Sequence, residues 1–197
     1  LSNFTDLSPL AHDPSISIQY VQHPAQMGNP DLIILPGSKN TVSDMKFLNQ
    51  QGLSSAILKR HEAGTMILGI CGGFQMLGKK IKDPENLESC EVEIDGLGLF
   101  DFQTTLLPEK LTRQVKLKTV KSRVFPEGIE CIGYEIHMGQ TTFKTTYPSF
   151  FSTLNGENPM NLGVMNEVGT VIGTYIHGFL DKDLFRENVL RYIRRKN

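Results

Sequence analysis

The sequence predicts an α/β protein in which a mainly parallel central sheet carries helices on both faces and is followed by an antiparallel β extension. Three observations carry this. Asp31-Leu32-Ile33-Ile34-Leu35 and Thr65-Met66-Ile67-Leu68 are continuously apolar, the mark of strands covered on both faces. Each runs into a glycine turn and then a segment with helical spacing, and strand–helix–strand–helix order of this kind builds a right-handed parallel sheet. After Lys80 the spacing changes to alternation, with lysines between the apolar positions, which predicts antiparallel strands.

Taken in order, Ile16-Ser17-Ile18-Gln19-Tyr20 alternates as a half-buried strand would. The strand at 31–35 ends in Pro36-Gly37-Ser38-Lys39-Asn40. Thr41 then reads as an N-cap with Asp44 in the first turn, and Val42, Met45 and Leu48 give the helix an apolar side. Gly52 breaks it, and Leu53, Ile57 and Leu58 carry a second helix to Gly64. The second strand leads to Gly69-Ile70-Cys71-Gly72-Gly73-Phe74-Gln75-Met76-Leu77, a strand, tight turn and helix. Asp83-Pro84-Glu85-Asn86 is a turn, and Phe102/Thr104/Leu106 and Val115/Leu117/Thr119 alternate. A strand is predicted over 132–137, a loop over 152–161 with its turn at Asn155-Gly156, and a hairpin of 163–166 with 171–176. The last helix, 181–195, has Asp181 and Asp183 early, Arg194 and Arg195 late, and a stripe of Phe185, Val189 and Tyr192/Ile193.

A chain of 197 residues can bury a full core as a single domain, 1–197. A formal net charge of −1 gives no electrostatic case for nucleic acid or an anionic membrane. No apolar run reaches the roughly 18 residues of a spanning helix. The three cysteines, Cys71, Cys90 and Cys131, lack a framework spacing and fit a reducing cytoplasm. The first residue is Leu1, not Met, which predicts a piece of a longer protein.

In an α/β sheet, chemistry collects at the carboxyl ends of the strands. Three such ends carry unusual residues: Pro36-Gly37-Ser38, Cys71-Gly72-Gly73 and His177-Gly178. Glycines around one reactive side chain after an apolar strand have the shape of a nucleophile elbow. A cysteine at a helix N-terminus gains thiolate character, and the alternative is a buried cysteine in a glycine turn. Cys71 needs a base to hold its proton and return it to a leaving amine, and His177 is the first candidate. The backbone N–H groups of Gly72 and Gly37 are candidates for an oxyanion hole. His137, at another strand end, is the rival base; His12 and His23 lie in loops, and His61-Glu62 lacks the second histidine of a zinc motif. No metal site is expected. Gly73 to Lys79 matches G-x-x-x-x-G-K, but position 80 is Lys and the residues between are apolar helix, so a nucleotide site is rejected.

Four blocks now stand in order: 35–41 (Leu-Pro-Gly-Ser-Lys-Asn-Thr), 69–78 around Cys71, 133–139 (Gly-Tyr-Glu-Ile-His-Met-Gly) and 173–178 (Gly-Thr-Tyr-Ile-His-Gly). Together with the opening Ser-Asn-Phe-Thr-Asp, they make the chain resemble the C-terminal glutamine amidotransferase domain of the cobyric acid synthases, within the class I superfamily. The resemblance implies a three-layer, flavodoxin-like fold. It implies hydrolysis of L-glutamine through a thioester on Cys71, with His177 shuttling protons and Gly37 and Gly72 forming the oxyanion hole. Ser38, Gln75, His137 and Gly139 match substrate-contacting positions. No cofactor is implied in this domain. ATP and Mg²⁺, and a corrinoid whose carboxylates are amidated, belong to a synthetase domain of the same polypeptide that lies outside this sequence.

One departure bears on mechanism. Many class I relatives carry Glu two residues after the catalytic histidine, and here that position is Phe179. The third member is therefore missing or comes from elsewhere, with Glu135 and Asp181 as guesses. The competing readings are the glutaminase subunit of the lipid II amidating complex, a cysteine hydrolase on the same fold, and a non-catalytic interaction domain.

Overall fold

A computed structural model describes residues 4–122, 124–153 and 159–194. The apolar runs form the central sheet. β1 (Leu32–Leu35) lies parallel to β2 (Met66–Ile70), and β2 lies parallel to β9 (Val171–Thr174). β8 (Gly163–Met165) closes the order β1-β2-β9-β8 by pairing antiparallel with β9 as the predicted hairpin. Successive side chains of a strand point to opposite faces, and β2 uses both. Met66, Leu68 and Ile70 enter one core with Phe185 and Val189, whereas Ile67 enters another with Val42, Met45, Ile57 and Phe74.

Helices cover the two faces accordingly. α1 (Ser8–Ala11) and α5 (Asp183–Arg194) supply the first core; α2 (Thr41–Gln50), α3 (Leu53–Glu62) and α4 (Gly72–Leu77) supply the second. Phe185 and Val189 are almost fully enclosed, a burial that stabilises by about 1.5–3 kcal/mol per side chain. The α/β class with helices on both faces therefore holds.

The β extension is a second sheet, in the order β10 (Ile176–His177), β6 (Glu130–Phe143), β5 (Phe102–Thr119), β3 (Lys80–Lys82) and β4 (Glu93–Asp95), with β7 (Phe151–Thr153) on β5. β3 (Lys80–Lys82) and β4 (Glu93–Asp95) form a hairpin, and β3 runs parallel to β5 (Phe102–Thr119). The two alternating runs expected between 102 and 119 are one long strand whose register with β6 (Glu130–Phe143) shifts between Thr105 and Lys110. Pro108 stands at that shift, where a residue without an N–H is tolerated.

Four expectations are corrected. The 16–20 segment forms no strand, although its isoleucines pack on the core as their alternation required; a cavity of about 630 Å³ is lined by both this segment and β1. Alternation marks a half-buried face, and it does not supply hydrogen-bond partners. Asn40, not Thr41, caps α2, with its Oδ1 accepting the Ser43 N–H at 2.8 Å. The strand expected over 171–176 breaks at Tyr175: β9 ends at Thr174, and β10 (Ile176–His177) joins β6 in the second sheet. The last helix begins at Asp183, after a 3-10 turn over Phe179–Asp181. The Asn155-Gly156 turn lies outside the described residues. Among the described residues, no helix is long and apolar enough to cross a membrane.

Candidate active site

Cys71 lies between β2 and α4 with φ 53° and ψ −111°, a left-handed conformation that L residues rarely adopt. Such strain persists only where surrounding structure over-determines it. Here the Cys71 N–H donates to Thr174 O at 2.7 Å, and Cys71 O accepts from the Gln75 N–H at 3.1 Å. The glycines that follow are required by close approach. A Cβ on Gly73 would stand 1.9 Å from Leu35 O, and one on Gly72 would stand 2.8 Å from Ser38 Cβ. The turn after β1, which carries buried Gly37, is thus pressed directly against the elbow. The stretch Gly73 to Leu77 is buried helix, as expected when the phosphate-loop match was rejected.

His177 arrives from the second sheet on β10 and is 7% exposed. Its Nδ1 donates to Asp6 Oδ2 at 2.7 Å, while Asp6 Oδ1 accepts the Gly178 N–H at 3.0 Å. That leaves Nε2 for the Cys71 thiol, with which His177 also hydrogen-bonds. Burial disfavours the imidazolium, but the hydrogen bonds to Asp6 and Cys71 outweigh it. The pKa is raised from an ordinary 6.5 to about 10. Asp6, Cys71 and His177 form one line of contacts.

Neither guess for the group behind His177 stands there. Glu135 is 2% exposed, receives Arg113 Nε at 2.6 Å and faces His137 Nε2 at 3.1 Å. Burial raises its pKa, and the hydrogen bonds from His137 and Arg113 more than reverse this, holding it below its ordinary 4.5. Asp181 sits in the 3-10 turn beyond Gly178, its N–H on Gly178 O. Asp6 is separated from His177 by 171 positions, so spacing around the histidine could not have found it. The only signal was its place in the opening block.

The other predicted positions gather on two sides of the thiol. On one side, the 136–140 segment of β6 lies over the elbow. Cys71 Sγ donates to Ile136 O at 3.1 Å, and Gln75 Nε2 donates to Met138 O at 2.9 Å. Gln75 is buried and also accepts from Thr41 Oγ1 at 3.2 Å. His137 stacks on Tyr175 with ring centroids 3.9 Å apart, and its Nδ1 faces Gly139 O at 3.2 Å. Gly139 has φ +87° and would press a Cβ to 2.6 Å from Thr105 O. His137 therefore shapes this segment, whereas His177 reaches the thiol. On the other side, Ser38 Oγ donates to Asp44 Oδ2 at 2.5 Å and accepts the Asn40 N–H at 3.0 Å.

The remaining cysteines lie elsewhere: Cys90 is exposed, and burial pushes the Cys131 thiol up to about 11. Among the described residues, no three His, Cys, Asp or Glu side chains are grouped to hold a metal ion.

A strained cysteine on a strand–helix elbow, a histidine on its thiol and a carboxylate behind the histidine define a class of thiol-dependent hydrolytic centres. The family follows from the sequence as a whole. Residues 1–185 match the model of the CobB/CobQ-like glutamine amidotransferase domain, and the chain belongs to that family. More particularly, it is 44% identical over 197 residues to a cobyric acid synthase of Alkaliphilus metalliredigens, covering 96% of this chain and 39% of that protein. It is 46% identical over 192 residues to a cobyric acid synthase of Listeria innocua, covering 96% and 36%. The chain thus spans about two fifths of the length of the curated relatives it matches. Among solved structures, a glutamine amidotransferase aligns with TM-score 0.61 at 18% identity, covering 98% of this chain and 90% of the other. PurLQS from Thermotoga maritima aligns at 0.60 and 20%, covering 85% and 82%. Similarity at this level of identity speaks to the fold alone.

Proposed function

We propose that this chain is the glutaminase domain of a cobyric acid synthase, hydrolysing L-glutamine through a thioester on Cys71 and passing ammonia to an ATP-dependent synthetase domain of the same polypeptide. The observation that carries the reading is the Asp6–His177–Cys71 line, with Asp6 and His177 buried, beside a glycine turn.

The chemistry runs as follows. Cys71 Sγ, its proton transferred to His177 Nε2, attacks the side-chain carbonyl carbon of glutamine. The oxygen takes up negative charge and is met by the N–H groups of Gly37 and Gly72, whose close packing favours this role. The C–N bond breaks as His177 returns the proton to the nitrogen, and ammonia leaves a glutamyl thioester. Water then attacks the thioester, His177 takes its proton, and collapse releases glutamate and restores the thiol. Asp6 holds the imidazole so that Nε2 faces sulfur and supports its positive charge. A thiol needs less activation than a hydroxyl, so this short relay suffices. Ser38, Gln75, His137 and Gly139 frame the substrate's place, which requires the carbonyls of Ile136 and Met138 to exchange their present donors when glutamine binds.

In this proposal the ammonia amidates side-chain carboxylates of a corrinoid, activated by ATP and Mg²⁺ in the synthetase domain, and the protein works in the cytoplasm. The test is ammonia release from glutamine by the full-length protein and by Cys71→Ser, with mapping of covalent labelling by diazo-oxo-norleucine. Loss of at least ~10³-fold and labelling at Cys71 are expected. Labelling at Cys90 or Cys131 instead, or a fully active serine variant, overturns it.

A further inference from the structure

The turn that carries Gly37 is held from outside by a residue that belongs to neither core nor elbow. Residues 37–40 run straight into α2, tied by Ser38 Oγ to Asp44, the Asn40 N–H to Ser38 Oγ, the Asn40 cap on Ser43 and the Asp44 N–H to Asn40 O. The β3–β4 connection crosses the start of α2 and adds two more from Glu88. Glu88 Oε2 accepts the Val42 N–H at 3.1 Å, and Glu88 O accepts from Asn40 Nδ2 at 2.6 Å. Glu88 thus binds both the N-cap side chain and a free N–H of the first helical turn, groups that a helix leaves unsatisfied.

The connection is itself built to hold Glu88 still. Asp83 is fully buried, and its carboxylate accepts the N–H groups of Leu87, Glu88 and Ser89 at 2.7, 2.8 and 3.0 Å. The Asp83 N–H in turn donates to Val92 O at 2.7 Å, across the mouth of the hairpin. From this anchor the contacts run through Glu88 to Asn40 and Val42, then to Ser38, against which Gly72 packs.

We propose that Glu88 is a positioning residue for the glutaminase reaction: by clamping the start of α2 it fixes the Gly37–Ser38 turn at the distance from Cys71 that oxyanion stabilisation needs. This rests on the glutaminase reading above. Burial of the Glu88 carboxyl, helped by the nearby Asp83 and Asp44, raises its pKa, and the N–H groups of Val42 and Thr41 offset this in part. Oxyanion donors act through geometry fixed before reaction, and removing one costs about 10²–10³ in rate; loosening the turn that carries one should cost less. Glu88 touches neither Cys71 nor His177 in any hydrogen bond, so thiol reactivity toward a reagent that needs no oxyanion hole is the control.

The experiment compares the full-length protein with Glu88→Ala, Glu88→Gln and Asn40→Ser, measuring glutamine hydrolysis and the alkylation rate of Cys71 by iodoacetamide. Glu88→Ala should lower kcat roughly 10-fold with KM little changed and the alkylation rate kept. Glu88→Gln retains a carbonyl acceptor for the Val42 N–H and should recover most of the rate. Asn40→Ser keeps a capping oxygen but drops the tie to Glu88 O, and should lose about 3-fold. Wild-type kcat in Glu88→Ala overturns the inference, as does a parallel fall of kcat and alkylation in all three variants. A full-length wild type that releases no ammonia overturns the glutaminase reading beneath it. An active wild type with an equally active Glu88→Ala overturns the inference alone.

Discussion

Cys71 is supported on two sides that the chain builds differently. Its own elbow, the strand before it and the glycine turn of β1 lie in one α/β unit, where each contact joins residues of adjacent elements. The histidine side comes from the second sheet: His177 sits on a two-residue strand, and the carboxylate behind it comes from the opening turn Phe4–Leu7. The first side is held by backbone packing with no room for side chains, as Gly73 against Leu35 O shows. The second is held by charge and hydrogen bonding in a buried site. The placement of Cys71 should therefore respond to volume, and that of His177 to protonation.

If His177 shuttles the proton as proposed, His177→Ala should lower kcat for glutamine hydrolysis by ~10³-fold or more, while His137→Ala should cost far less. A reversed ranking would exchange their roles. Asp6→Ala should cost about 10- to 100-fold, less than the loss of a serine enzyme's aspartate, because the thiol is the better nucleophile. Retention of full activity in that variant would show that His177 is held by its strand alone.

The same pair has a pH signature. Because the folded-state pKa of His177 is raised from 6.5 to about 10, its stabilising contribution is complete below about 6.5 and is lost as pH rises through about 10. Asp6→Ala should therefore narrow the difference in stability between neutral and alkaline pH, as read by denaturant unfolding.

On the elbow side, Gly73→Ala should destabilise by roughly 2–3 kcal/mol, since the obstacle is a backbone oxygen that cannot rotate away. An unchanged Tm would mean that β1 and α4 can separate to admit a side chain. The smallest effect is expected at Arg113→Ala, whose partner Glu135 keeps His137. Arg113 is 37% exposed, so screening limits the loss to about 1 kcal/mol. Glu135, held below 4.5, stabilises above that value and loses this as pH falls through its folded pKa. Arg113→Ala should then flatten the acid limb of a Tm–pH curve.

What the sequence disclosed follows the same division. The elbow was legible because an apolar strand, a glycine turn and an apolar helix are adjacent, and their chemistry is local. Glycines at 72 and 73 announce a close approach before the approaching strand is known. His177 was legible as the end of a run, although the run proved to be two strands in two sheets. The bend at Tyr175 leaves no mark in an unbroken series of apolar and small residues. The alternation of 16–20 correctly placed Ile16 and Ile18 against the core, yet pairing depends on the edge available, which alternation does not encode. The capping oxygen on α2 shifted by one residue because Asn40 and Thr41 both qualify, and contact with Gln75 claims the threonine.

By itself, then, the sequence singled out Cys71, His177, the glycine turn and the two patterns of strand, since each rests on neighbours within a few residues. Only the tertiary structure decided that Asp6 stands behind His177, that Glu135 serves His137 and Arg113, and that Glu88 clamps the start of α2. Asp6 with His177, Glu135 with Arg113 and Glu88 with Asn40 and Val42 are polar contacts between separate segments of the chain. No periodicity records them, because what selects each partner is its distance and orientation after the sheets have packed.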